Sequence, residues 1–203
     1  MDILSKDEAR ALYRGLRRGL DAVERQRQVD AIQLHLLPWL AENAPRRALT
    51  CVLSYGAEPP TGRLMDVLHA EGFRLLVPIC EPDRRLSWTE WYPGVPTLRS
   101  DVAPIAEPVG ERHGSEVMSA VDVVLVPAQA IDAGGARLGQ GGGYYDRFIA
   151  SLDGHDPRPL LLSMVFEHEL LPAESFEYNA LDRRVDAVVT PSGITWFRGA
   201  AAP

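Results

Sequence analysis

Ten residues, 134–143, read GGARLGQGGG and contain six glycines; the stretch runs on into RLGQGGGYYD, residues 137–146. Glycine lets backbone amides turn toward a ligand with no Cβ in the way. A helix starting just after such a loop adds its own N-terminal amides and dipole, so an anion is well received there. The same composition also serves a tight turn or hinge. It is not a Walker A loop, because the Lys-Ser/Thr ending is absent. Asp146 follows directly. At a helix start its carboxylate complements the macrodipole, and beside a phosphate it can hold magnesium. Tyr144 and Tyr145 adjoin the glycines; they read as core or rim aromatics, or as groups that stack on or hydrogen-bond a flat ligand.

Further candidates lie elsewhere. Lys6, Arg10, Arg14 and Arg17 are spaced by four, four and three, which puts them on one helix face. A cation in the first turn opposes the macrodipole, so Lys6 reads either as solvated surface or as a contact for a polyphosphate. Glu58, in SYGAEPPT after an apolar run, is a turn residue or a substrate contact, and Asp186 opens the run VDAVVT as a strand-end acid. Some chemistries have no support. The five histidines show no zinc-type pairing, no Gly-x-Ser-x-Gly elbow occurs, and Cys51 and Cys80 sit in or beside apolar runs as buried thiols. A nucleophile-based hydrolase is therefore disfavoured.

The elements that must carry these residues follow from periodicity. A helix is predicted from Ser5, with Ser5 and Glu8 at capping-box spacing and Ala9, Leu12, Leu16 and Leu20 as its apolar stripe. A second helix covers residues 23–41, with Val29, Ile32, Leu36 and Leu40 facing the core and Pro38 kinking or ending it. Residues 48–54 read as a strand, 60–71 as a helix stopped by Gly72, 73–79 as a strand, and 86–91 as a half-exposed strand. Prolines 93, 96, 104 and 108 mark residues 93–114 as an extended loop or lid. Residues 121–127, 160–166 and 185–190 read as buried strands, and 144–152 as a helix. Near-continuous apolar strands separated by helices predict an α/β fold with a mostly parallel open sheet. Ligands of such sheets sit at the carboxyl ends of the strands, near the segments after Ser54, Pro127 and Thr190.

Composition sets the frame. The 203 residues, 46% apolar and 24% charged, suit one well-buried core. A net charge of −7 argues against general nucleic-acid binding, while leaving room for a local basic site. No apolar run reaches the roughly 20 residues of a membrane span. The polar start, MDILSKDEAR, lacks a signal-peptide core, and two cysteines make no disulfide framework, so the cytoplasm is the expected compartment.

The decapeptide 137–146 closely resembles the signature R-L-G-x-G-x-G-Y-Y-D of the 5-formyltetrahydrofolate cyclo-ligase (methenyltetrahydrofolate synthetase) family, with every fixed position met. The resemblance extends along most of the chain. Lys6 and Arg10 fit an early K-x-x-x-R; Leu53, Glu58 and Thr61 fit a strand-to-helix segment; Val126-Pro127 and a late Val185-Asp186-x-x-x-Thr190 fit the flanking strands. The resemblance implies a single domain over residues 1–203 of NagB/RpiA/CoA-transferase-like fold, with a helical segment 5–43 and an α/β core 46–192. It implies an enzyme that uses ATP and magnesium to convert 5-formyltetrahydrofolate, polyglutamylated or not, to 5,10-methenyltetrahydrofolate through a phosphorylated formyl group. The chain would be monomeric, with no nucleic-acid or membrane partner. Lys6, Arg10, Arg137, Leu138, Gly139, Gln140, Gly141, Gly142, Gly143, Tyr144 and Tyr145 would bind ATP, with Arg137 and Lys6 stabilising the transferring charge. Leu53 and Glu58 would contact the folate, Gln140–Tyr144 would line the junction of the two ligands, and Asp146 and Asp186 would hold magnesium.

The sequence departs from the family at two loop positions. Gly142 stands where many members carry lysine, and Gln140 replaces a frequent basic or aromatic residue. Residues 167–182 align less well, and 93–114 have no clear counterpart. Two other readings keep the same fold: a phosphosugar-isomerase-like or CoA-transferase-like enzyme that needs no ATP, and a non-catalytic nucleotide- or folate-binding module.

Overall fold

The structure is a computed structural model that describes residues 3–102 and 105–197. The helices are α1 (Lys6–Gly19), α2 (Ala22–Asn43), α3 (Gly62–Ala70) and α4 (Tyr144–Ser151). The strands are β1 (Ala48–Thr50), β2 (Arg74–Glu81), β3 (Arg85–Trp91), β4 (Thr97–Arg99), β5 (Ala106–Pro108), β6 (Val123–Leu125), β7 (Ala130–Asp132), β8 (Arg137–Leu138), β9 (Leu160–Met164), β10 (Leu170–Leu171), β11 (Ala187–Thr190) and β12 (Gly193–Trp196). Among these residues the main sheet has seven strands in the order β12-β11-β9-β6-β1-β2-β3. The five central strands pair in parallel; β3 and β12 close the edges in antiparallel.

Both faces of the sheet are covered, which is why the central strands read as unbroken apolar runs. Side chains alternate between the faces. Leu49, Leu75, Val123, Leu125, Leu162 and Val189 meet α2 (Ile32, Leu36, Leu40) and α3 (Leu64, Met65, Leu68). Leu76, Val124, Leu161 and Val188 point the other way, onto Phe148 and Ile149 of α4 and onto the buried Trp88. The mixed α/β fold with a large, mostly parallel sheet is thus as predicted.

Three expectations need correction. The buried face of α1 is Ala9, Tyr13 and Arg17, whereas Leu12 and Leu16 are 46% and 44% exposed. The helix docks on a small second core beside β8 rather than on the main sheet, so its inward face is narrow and tolerates a polar member. Pro38 does not end α2, which runs on to Asn43. Leu34, whose carbonyl loses its donor, is itself an exposed position, and the buried Leu36 and Leu40 hold the helix in register. Residues 93–114 are not a featureless loop. They contain the antiparallel pair β4–β5, in register Thr97↔Pro108 and Arg99↔Ala106. Pro108 ends the second strand, a position where a missing N–H is tolerated. Pro104 lies outside the described residues.

Candidate active site

The order of the parallel strands reverses at β1: the chain proceeds to β2 on one side, then returns to β6, β9 and β11 on the other. Such a switch point opens a crevice at the carboxyl ends of the two flanking strands. Here a cleft of about 670 Å³ lies there, with Val52 and Leu53 following β1 and Pro127 following β6. That volume accommodates a drug-sized ligand. Pro78, Cys80 and Leu86 form an apolar wall; Arg10, the glycine loop, the first turn of α4 and residues 179–183 form the polar one.

Arg137 organises the polar wall. It is buried at the end of the short β7–β8 hairpin, donates from Nη1 to the Pro127 carbonyl at 3.1 Å and from Nη2 to Asp146 Oδ1 at 2.8 Å. Its guanidinium explains Gly139, where an added Cβ would stand 2.7 Å from Arg137 Nη1. Arg10 Nε donates to the Gly139 carbonyl at 3.0 Å, so α1 and the loop are built against each other. Gly141 turns through φ +99°, a region L side chains rarely adopt. Gly143, the residue before α4, is left-handed and offers no capping side chain. The first-turn amides of α4 are therefore left to face a ligand.

Three buried polar atoms of lining residues have no partner among the described residues: Arg137 Nε, Arg183 Nε and the Tyr145 hydroxyl. Unpaired buried groups are rare in a finished structure and mark places where a ligand or water completes the hydrogen bonding. Burial pushes the Tyr145 phenol well above its usual range, so it stays a neutral donor. Its ring is fixed edge-on against Trp88 and Phe148.

Of the residues singled out from the sequence, Arg10, Leu53, Glu58, Arg137, Gly139, Gln140, Gly141, Gly142, Gly143, Tyr144, Tyr145 and Asp146 all line the cleft. Gln140 Nε2 donates to Glu58 Oε1 at 3.0 Å, and the Tyr55 amide donates to Glu58 Oε2 at 3.1 Å, which joins the loop to the strand-end segment. Three candidates stand elsewhere. Leu138 is buried in the small core with Ala9 and Tyr13, because residues alternate along β8 and only Arg137 can face the cleft. Lys6 does not line the cleft; its Nζ grips both oxygens of Asp182, which does, at 2.6 and 2.5 Å. Asp186 precedes β11, at the amino end of a parallel strand and hence at the rim opposite the cleft. There it accepts from the Leu161 amide at 2.8 Å and pairs with Arg158 at 3.0 Å, so it does not share a cation with Asp146.

The shared helix face of four cations also divides. Arg10 reaches the loop, Arg14 turns back on the Arg10 carbonyl, and Arg17 is buried on Glu169 and the Ala128 carbonyl. Sequence reasoning missed Arg84, Arg147 and Arg183, which also line the cleft. Arg147 donates to the Asp83 carbonyl at 2.7 Å, and the Arg183 amide donates to Asp146 Oδ1 at 3.1 Å. Arg147 directly follows the signature, a signal that was available; Arg84 and Arg183 belong to arginine pairs in stretches without period. Five arginines (10, 84, 137, 147, 183) thus face three carboxylates (Glu58, Asp146, Asp182) in a chain of net charge −7.

For a cation, the described residues contain no cluster of three or more His, Cys, Asp or Glu side chains. Magnesium does not require one: it is commonly held by one or two carboxylates together with substrate phosphates and water. Asp146 fits that pattern, because Oδ1 takes both hydrogen bonds while Oδ2 has none among the described residues.

Residues 2–191 match the family described as the 5-formyltetrahydrofolate cyclo-ligase family. A 5-formyltetrahydrofolate cyclo-ligase of Mycolicibacterium smegmatis is 32% identical over 151 residues, 71% of this chain and 75% of the relative. One of Escherichia coli K12 is 28% identical, over 70% and 76% of the two chains. The solved structure of Aquifex aeolicus 5,10-methenyltetrahydrofolate synthetase superposes with a TM-score of 0.74 at 24% identity, covering 98% of this chain and 95% of that one. The Mycoplasma pneumoniae synthetase gives 0.73 at 16% identity, over 93% and 99%. Both likenesses are to the fold.

Proposed function

We propose, from the premise that this chain belongs to the 5-formyltetrahydrofolate cyclo-ligase family, that it closes 5-formyltetrahydrofolate to 5,10-methenyltetrahydrofolate at the expense of ATP. The observation that carries the reading is the cleft's division into two walls: an apolar one of Leu53, Pro78 and Leu86, suited to a flat heterocycle, and an arginine-lined one built on the glycine loop and α4. An enzyme that must bring a phosphoryl donor against a formyl folate needs both.

The formyl oxygen of the substrate is a poor leaving group. Transfer of the γ-phosphoryl group of ATP to that oxygen releases ADP and gives an imidate-like phosphate ester. The folate's N10 then attacks the formyl carbon, the C–O bond breaks, inorganic phosphate departs, and the N10 proton passes to solvent. No step calls for a protein nucleophile, and among the described residues the cleft lining holds no serine, threonine, histidine or lysine and one thiol, the raised, half-buried Cys80. Catalysis is then positioning plus charge neutralisation. Arg10 and Arg137, each tethered through one N–H to a backbone carbonyl, keep other N–H groups for phosphate oxygens. The open amides of α4 receive the same charge, and Tyr145 offers its neutral hydroxyl as a donor. Asp146 Oδ2 would take a magnesium ion, which when bound supplies further charge neutralisation on the phosphates. Glu58 would accept from the ring edge of the folate.

The test follows methenyl-folate absorbance with 5-formyltetrahydrofolate as substrate, with and without ATP and magnesium. An ATP- and magnesium-dependent rise is the expected result. A folded protein that gives none refutes the reading; binding without turnover would leave a folate- or nucleotide-binding module, and turnover without ATP would point to isomerase-like chemistry.

A further inference from the structure

We propose that Gln129, a residue outside the cleft, is a positioning residue that sets Glu58 through Gln140. Gln129 is fully buried. Its side-chain Nε2 donates to Gln140 Oε1, and Gln140 Nε2 donates to Glu58 Oε1 at 3.0 Å. The carboxylate fixes the polarity of the whole chain. An ionised carboxylate only accepts, so Gln140 must turn its NH₂ to Glu58 and its carbonyl to Gln129; Gln129 must then answer with its own NH₂. The backbone holds the anchor in place: the Gln129 amide donates to the Leu138 carbonyl at 2.7 Å, and the neighbouring Ala128 carbonyl accepts from the buried Arg17 at 2.6 Å.

The arrangement carries a signature of function. Gln129 Oε1 is buried without a partner. An unpaired buried acceptor is destabilising, and an apolar side chain of the same shape would avoid it. The side chain is retained, with its NH₂ directed along the relay, at the expense of fold stability. Gln140 is itself exposed, and on its own would sample several rotamers and both amide orientations. Held by Gln129, it presents a fixed donor that leaves the carboxylate of Glu58 with one lone pair free on each oxygen, in one plane.

The role rests on the folate reading, and the measurements separate the two. Equilibrium binding of 5-formyltetrahydrofolate without ATP is measured for wild type, Gln129→Met, Gln140→Met and the double variant, together with Tm and the half-saturating ATP concentration. Losing one oriented hydrogen bond, Gln129→Met is expected to weaken folate binding about 5- to 10-fold. The ATP requirement should stay unchanged and Tm should hold or rise. In the Gln140→Met background the same substitution should have no further effect. Gln129→Glu, which faces the Gln140 carbonyl with a second acceptor, should bind more weakly than Gln129→Met. Equal affinity of Gln129→Met and wild type, full additivity in the double variant, or a loss that tracks a falling Tm overturns the relay. A wild-type protein that binds no formyl folate overturns the substrate reading, and this role with it.

Discussion

Asp146→Asn replaces a carboxylate by an amide of nearly the same shape, so the acceptor to Arg137 Nη2 at 2.8 Å and to the Arg183 amide at 3.1 Å is kept while the charge is removed. The Arg137 side chain is 4% exposed and Asp146 23%, so solvent screens the pair weakly. A hydrogen bond between charged partners contributes about 1.5–3 kcal/mol against about 0.5–1.5 for a neutral acceptor, so the substitution should lower stability by roughly 1–2 kcal/mol. For a chain of this size that corresponds to a fall in Tm of about 3–6 °C. The second effect is on the cation. Asp146 Oδ2, which accepts no hydrogen bond among the described residues, is the proposed magnesium ligand, and on that reading the half-saturating magnesium concentration should rise at least tenfold, or about 1.4 kcal/mol in binding. Differential scanning fluorimetry reads the first effect and a magnesium titration of methenyl formation reads the second. A lower Tm with an unchanged magnesium requirement would leave Asp146 as the counter-charge of Arg137 and refute its role as a ligand. A Tm within 1 °C of wild type would refute the energetic importance of the ion pair.

Gly139→Ala would place a Cβ 2.7 Å from Arg137 Nη1, and because that guanidinium is already bonded on two sides, overpacking should cost about 1–3 kcal/mol and raise the ATP requirement more than the folate requirement, as steady-state kinetics would detect. Lys6→Ala releases Asp182 and should likewise raise the half-saturating ATP concentration more than that for folate; an equal or reversed effect would reduce the Lys6–Asp182 pair to a structural tie. Burial pushes the Cys51 thiol up to about 12, whereas Cys80, raised by burial and by the nearby Glu107 and Glu81, lines the cleft. At pH 8 iodoacetamide should therefore modify Cys80 slowly and Cys51 only on unfolding, with 5-formyltetrahydrofolate slowing the Cys80 reaction; mass spectrometry reads both sites. Gly142→Lys should change the ATP requirement by less than about twofold, since the tethered arginines already supply charge there and only the Tyr144 ring, 3.0 Å from the new Cβ, has to yield. A large gain in turnover would mean that the loop does lack a cation.

Much of this organisation is legible in the amino-acid order because it is local. The capping box of Ser5 and Glu8 starts α1, Gly72 ends the turn after α3 at φ +81°, and alternation across buried strands assigns Leu75 and Leu76 to opposite cores. The glycine loop is equally local, since its demands arise from its own backbone and from Arg137 two residues before Gly139. What the sequence hides is the pairing of distant residues. Nothing in the spacing of Lys6, Arg10, Arg14 and Arg17 says that the last would be buried on Glu169, 152 positions away. Asp186 looks like any acid beside an apolar strand; only the strand's direction reveals that it stands at the amino end, away from the cleft. Arg84 reaches the site from the 3-10 helix Pro82–Arg84 and Arg183 from an irregular stretch, and the course of both depends on the packing around them.

The arginines also account for a loop that carries Gly142 in place of a lysine. Of the chain's 21 basic residues, Lys6 is the single lysine. A lysine in a glycine loop is a mobile point charge that must be immobilised whenever it meets a phosphate. An arginine can be held through one N–H while others stay free, because its five donors lie in a rigid fork. Arg10 is tethered to the Gly139 carbonyl, Arg137 to that of Pro127 and Arg147 to that of Asp83, so each fork is oriented before any ligand arrives. Groups already in place need not reorganise as charge develops on a transferring phosphoryl group, and it is this preorganisation that makes electrostatic stabilisation effective. The position that loses its side chain is thus the one where a flexible cation would add least. Lys6 is the complementary case. Its ammonium is a compact charge already matched to Asp182, and on the proposed reading an anionic ligand entering the cleft would have to compete with that carboxylate for it.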